Sequence, residues 1–110
     1  MSTTLEFIDY ILENIEDAGI VSFRKMFGEY AVYCDGKVIA LVCDNQFFLK
    51  PTKTGRDFIG DVLEAPPYKG AKDYFLIEDG IEDREWFSEL IKITTLEVPE
   101  PKPKKKKKKS

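Results

Sequence analysis

The sequence predicts a two-layer α+β fold, an antiparallel meander with an Asp-Gly hairpin packed with N-terminal and C-terminal amphipathic helices. Near the start, Leu5, Ile8, Ile11, Leu12 and Ile15 recur at helical spacing, and near the end Trp86, Phe87, Leu90, Ile91 and Ile93 do the same. Between these stripes, apolar runs at 30–34 and 37–43 flank Asp35-Gly36. That dipeptide suits a type I′ hairpin turn, which needs positive φ at both central positions. With 110 residues, 43% of them hydrophobic, the chain has apolar material for one core and not for two.

The first helix is expected near residues 4–18. Thr3-x-x-Glu6 reads as a capping box, Gly19 as a left-handed cap, and Glu6, Asp9, Glu13, Glu16 and Asp17 fall mainly opposite the apolar stripe. A strand over 20–25 follows, and then the meander of 30–34, 37–43 and 46–50, with a second turn at Asp44-Asn45 and Pro51 as its stop. An unbroken count from the Asp-Gly turn pairs Cys34 with Lys37 and Cys43 with Gly28. The two sulfurs then stand roughly 20 Å apart, beyond disulfide reach, so both thiols are expected reduced. The central strand wants burial on both faces, since Val38, Ala40 and Val42 alternate with Ile39, Leu41 and Cys43. Either the chain's own helices and loops cover both faces, or one face docks on a second protomer or a partner.

Residues 56–63 are expected to form a short helix, weakened by Gly55 and Gly60. Pro66-Pro67 and Gly70 mark an extended connection to a strand over 73–77, and Glu78-Asp79-Gly80 to a turn. The last helix is expected over 83–96, with acids in its first turn where the helix dipole favours them.

Charge divides the chain. Residues 1–98 hold 10 Lys and Arg against 19 Asp and Glu, a net of −9, whereas residues 99–110 hold seven Lys against Glu100, a net of +6. The expected organisation is a folded domain over 1–98 and a disordered Pro/Lys-rich tail over 99–110, which has nothing to bury. Histidine is absent, which removes the commonest general base, His-activated nucleophiles and His-dependent zinc sites. No Gly-rich phosphate loop is present. The expectation is a protein without catalytic residues, cofactor or metal, and not an enzyme. No apolar run approaches the roughly 20 residues of a membrane span, and the first residues lack a secretory pattern, so a cytoplasmic location is expected, with no membrane partner.

The ordered set Arg24-Lys25-Met26-Phe27-Gly28, Asp35-Gly36-Lys37-Val38, Phe48-Leu49-Lys50, Tyr74-Phe75 and Trp86 resembles the N-terminal domain of the TfoX/Sxy family of competence regulators, over about residues 5–95. The resemblance implies a two-layer fold with helices on an antiparallel sheet and a non-enzymatic role in bacterial gene regulation. The family's namesakes act with a cyclic-AMP receptor protein to switch on DNA-uptake genes. Longer members carry a C-terminal helical domain where this sequence has its lysine run, and the chain reads as a stand-alone single-domain form.

The family-motif residues Arg24, Lys25, Met26, Phe27, Gly28, Gly36, Lys50 and Trp86 therefore form a structural or partner site. Met26 and Phe27 suit core positions, and Gly28 suits a bulge at the entry to the hairpin. Arg24, Lys25 and Lys50 suit either solvated strand ends or a small basic site for a phosphate or an acidic partner. Tyr30, Tyr33, Phe47, Phe48, Tyr74 and Phe75 suit core positions better than base stacking, because nucleic-acid readers need a basic face and this body is acidic. The acids Glu78-Asp79 and Glu82-Asp83 read as ordinary turn and helix-start charges. Nucleic acid is expected to meet only the tail, through Lys102, Lys104, Lys105, Lys106, Lys107, Lys108 and Lys109, by counterion release. The primary expectation is a regulatory module whose partner is a protein, such as a transcription regulator, or a second copy. The alternative is a nucleic-acid-associated protein acting through its tail.

Overall fold

Thr4 starts the first helix by accepting a 3.2 Å hydrogen bond from the Phe7 amide through its hydroxyl. The computed structural model describes residues 3–26 and 29–98. Helix α1 (Leu5–Ile15) buries Ile8, Ile11 and Ile15 and continues into a 3-10 turn over Glu16–Ala18. The cap is thus one residue later than the capping-box pattern suggests. Thr3 is instead buried, its hydroxyl donating to Glu29 Oε1 at 2.8 Å. Gly19 also differs from expectation: φ 154° and ψ −157° are a glycine-only extended conformation and not a left-handed cap. A Cβ there would meet Asp35 Oδ1 at 2.8 Å, and that carboxylate accepts from the Ile20 amide.

The strands are β1 (Val21–Met26), β2 (Glu29–Cys34), β3 (Lys37–Cys43), β4 (Gln46–Leu49), β5 (Leu63–Ala65) and β6 (Tyr74–Ile77). They form one antiparallel sheet in the order β1-β2-β3-β4-β6-β5. Both tight turns have the expected chemistry, with positive φ at Asp35 and Gly36 and again at Asp44 and Asn45. Cys34 pairs with Lys37 as counted, but the register slips by one between Val32 and Tyr33, leaving Ile39 as the extra residue of a bulge. Cys43 therefore lies level with Glu29, not Gly28. Both cysteines are buried free thiols.

Helix α2 (Lys53–Ile59) begins three residues before the expected start, because the Thr52 hydroxyl caps the Gly55 amide at 2.9 Å. It ends at Gly60, so Leu63, expected in this helix, opens β5. Helix α3 (Arg84–Glu97) is capped by Asp83, which accepts from the Trp86 amide. Glu97 at its other end reaches over to α2, accepting from the Lys53 and Thr54 amides and the Thr54 hydroxyl. Its carboxyl is held below the usual range chiefly by the Thr54 hydroxyl, and then by the two amides.

All three helices share one core with one face of the sheet. Ile8, Ile11 and Ile15 of α1 and Phe87, Leu90 and Ile91 of α3 pack with Tyr30, Val32, Cys34, Ile39, Ala40, Val42, Phe47, Leu49, Phe75 and Ile77, and Ile59 of α2 borders the same cluster. Phe47 and Phe87 meet edge to face at 5.0 Å. The result is a two-layer α+β fold.

Candidate interaction surface

Strand alternation sends the remaining sheet residues to the face turned away from the helices. One cross-strand row on that face runs Arg24, Ala31, Leu41, Phe48, Leu76 and Leu63, fixed by the pairings of all six strands. Tyr33 and Val38 pair beside it, and Cys43, Lys50 and Tyr74 share the face with the polar Ser22, Glu29 and Gln46 and with Ala65. Ala31, Cys43 and Phe48 are buried by their neighbours, yet none belongs to the core shared with the helices. Tyr33, Val38, Leu41, Lys50, Tyr74 and Leu76 are half-buried, and Leu63 is 61% exposed. Among the described residues, helices thus cover only one of the two faces of β3.

Of the two readings open for Arg24, Lys25 and Lys50, the geometry agrees with separate strand-end charges, since the three do not gather into one site. Arg24 lies on the helix-free face with its guanidinium 5.9 Å from the Tyr33 ring centre, whereas Lys25 pairs with Tyr30 and faces the helix side. Lys50, whose amide donates to the Ile39 carbonyl at 2.9 Å, shares Arg24's face but stands on the order of 15 Å away by strand spacing. The six aromatic residues split: Tyr30, Phe47 and Phe75 enter the core, while Tyr33, Phe48 and Tyr74 take the other face. Tyr68 approaches Tyr74, whose phenol is raised mainly by burial and then by this neighbour.

Gly36 forms the hairpin turn, and the Met26 backbone pairs with Glu29. Phe27, Gly28, Lys102, Lys104, Lys105, Lys106, Lys107, Lys108 and Lys109 lie outside the described residues. Trp86 has a structural setting: its ring lies over Gly80 and stacks on Phe58 at 5.8 Å and 29°.

Among the described residues, no three His, Cys, Asp or Glu side chains gather as a metal site. An open groove of about 490 Å³ along α1 is lined by the acids Glu6, Asp9, Glu13 and Glu16 together with Tyr10, Leu12 and Val21. The two thiols are inert in kind. Burial, then Glu29 and Asp44, push Cys43 up to about 11, and burial also raises Cys34. No helix among the described residues is long and apolar enough to cross a membrane.

The fold and this surface define a class: a two-layer α+β domain whose sheet has one helix-covered face and one apolar face without a helix. The chain belongs to the TfoX N-terminal domain family, whose profile matches residues 13–97. It is also similar to an uncharacterized 12.7 kDa protein in the trpE 5′ region of Spirochaeta aurantia, 38% identical over 99 residues that cover 90% of this chain and 86% of the relative.

Proposed function

We propose that this chain is a non-enzymatic regulatory module of the bacterial cytoplasm, acting by protein–protein contact, with a transcription regulator as the kind of partner its family membership suggests. The observation that carries this reading is the helix-free sheet face, where Leu41, Leu76 and Tyr33 stay partly exposed around buried Phe48. Apolar area of this kind is characteristic of interaction surfaces. Affinity capture with the tagged full chain, with and without nuclease, tests the reading. Protein partners retained after nuclease support it; capture of no protein overturns it.

The lysine run favours a second reading, non-specific nucleic-acid association through residues 102–109. On that reading, partners are lost with nuclease, and DNA affinity vanishes when Lys104 to Lys109 are deleted. Seven lysines then set a log–log salt slope no steeper than roughly −6.

A further inference from the structure

We propose that the helix-free face of the sheet is a self-association surface on which a second copy of this chain docks, sheet against sheet. The inference rests on the reading of that face as an interaction surface, and it names the occupant.

Size is the first argument. Six strands at about 4.8 Å spacing and about 17 Å of length give a patch on the order of 500 Å² in plan. Two facing copies cover about 1,000 Å² of plan area, at the threshold for a specific interface, with Tyr33, Val38, Leu41, Leu76 and Leu63 supplying the contact because Ala31, Cys43 and Phe48 are already buried. Two sheets stacked this way form an ordinary sandwich, with Leu41, Phe48 and Leu76 at its centre.

Charge is the second argument. Each body carries −9 over residues 1–98, so two copies repel wherever acid meets acid. The acids of α1 and α3 lie on the helix layer, and Glu64 pairs with Phe75 on that same side. Among strand residues the helix-free face carries a single acid, Glu29, and its carboxylate already accepts from the Thr3 hydroxyl and the Asp44 amide. With Arg24 and Lys50 against Glu29, this face opposes the approach of a second acidic body less than the acid-lined outer side of α1 does. Its cations, Arg24 and Lys50, argue against residues 99–110 as occupant, because a +6 segment would meet like charge. Two cations about 15 Å apart on an acidic body also make a poor track for nucleic acid.

A two-fold contact of this kind is isologous, so one substitution alters the interface twice. Sedimentation equilibrium of the full chain from about 1 µM to 1 mM is the test, with Leu41→Lys at the centre of the face and Tyr33→Lys beside it. Trp86 lies in the other layer, and its fluorescence verifies that each variant is folded. The full chain is expected to move from 12.7 kDa toward twice that mass. Each folded face variant is expected to raise the dissociation constant at least about tenfold, since two copies of an unpaired buried charge enter the contact. A chain that stays monomeric at 1 mM overturns the proposal. So does a dimer that survives both substitutions, or one lost only when residues 99–110 are removed. If the chain is monomeric yet captures a nuclease-resistant protein that Leu41→Lys releases, the self-association fails while the proposed function stands.

Discussion

Replacing Gly80 with alanine tests whether Trp86 serves the fold or a partner. Gly80 has φ 96°, and a Cβ at this position would lie 2.5 Å from Trp86 Cζ3 and 2.7 Å from Cε3. Positive φ alone costs an L-residue about 1–2 kcal/mol. The clash also pushes the indole off its place over the glycine and away from Phe58, forfeiting a stacking contact of about 0.5–1.5 kcal/mol. Gly80→Ala is therefore expected to lose about 2–3 kcal/mol, a large share of the 5–15 kcal/mol typical of a whole domain. Urea unfolding followed by both tryptophan emission and far-UV circular dichroism reads the loss, and Trp86 is the chain's one tryptophan. The native emission maximum should move to the red as the ring leaves its contacts. In a Trp86→Ala background the same substitution should cost the backbone part alone, about 1–2 kcal/mol. An unchanged midpoint and emission maximum in Gly80→Ala would refute the reasoning.

Thr94 is fully buried and its Oγ1 has no hydrogen-bond partner among the described residues, so Thr94→Val should stabilise the domain by about 1 kcal/mol, and a loss of stability in urea would contradict this. With Cys43 pushed up to about 11, about one thiol in a thousand is ionised at pH 8. Ellman's reagent should therefore modify the native chain only as fast as it opens, and stoichiometric labelling within seconds would show the thiols to be accessible. Glu97 has a lowered pKa in the folded chain, so its ionised form adds stability above the unfolded glutamate value of about 4.3, and that contribution disappears as pH falls through the lower folded value. The difference in urea midpoint between the native chain and Glu97→Gln should accordingly be full at pH 7 and shrink below about pH 4; a difference independent of pH would place the effect elsewhere.

Local chemistry in the sequence determined most of the fold and little of the surface. Asp35-Gly36 and Asp44-Asn45 announce their turns because few residues accept positive φ, and the stripes of α1 and α3 announce burial. Short-range competition explains the small misses. Thr3 and Thr4 are equally good caps by type, and only the pairing of Thr3 with Glu29, 26 residues on, decides between them. Gly55 lowers helix propensity without preventing α2, because Thr52 caps the helix and the absent Cβ leaves room for that hydroxyl, 2.6 Å from where a Cβ would stand. β5 has three residues, Leu63, Glu64 and Ala65, too few for any period, and it exists only because β6 offers an edge. The capping of α2 by Glu97 spans more than 40 residues of chain and leaves no local trace.

The bulge at Ile39 decides what the helix-free face is made of. Lys37 lies on the helix side, donating from Nζ to the Thr95 carbonyl at 2.9 Å, and strict alternation from it would send Ile39, Leu41 and Cys43 to the core and Ala40 and Val42 outward. The extra residue lets Ile39 and Ala40 both turn inward, so that Val42 follows them into the core and Leu41 and Cys43 emerge on the other side. The same step sets Leu41 level with Ala31 and Phe48, placing a leucine between an alanine and a buried phenylalanine at the middle of the sheet. Without the slip, the smaller Ala40 and Val42 would occupy the outer face, and α3 would have to pack on a bulkier row. One unpaired residue thus trades small side chains for large ones between the two faces. The apolar centre available for docking is a product of the hairpin's irregularity, beyond what the alternation of its residues dictates.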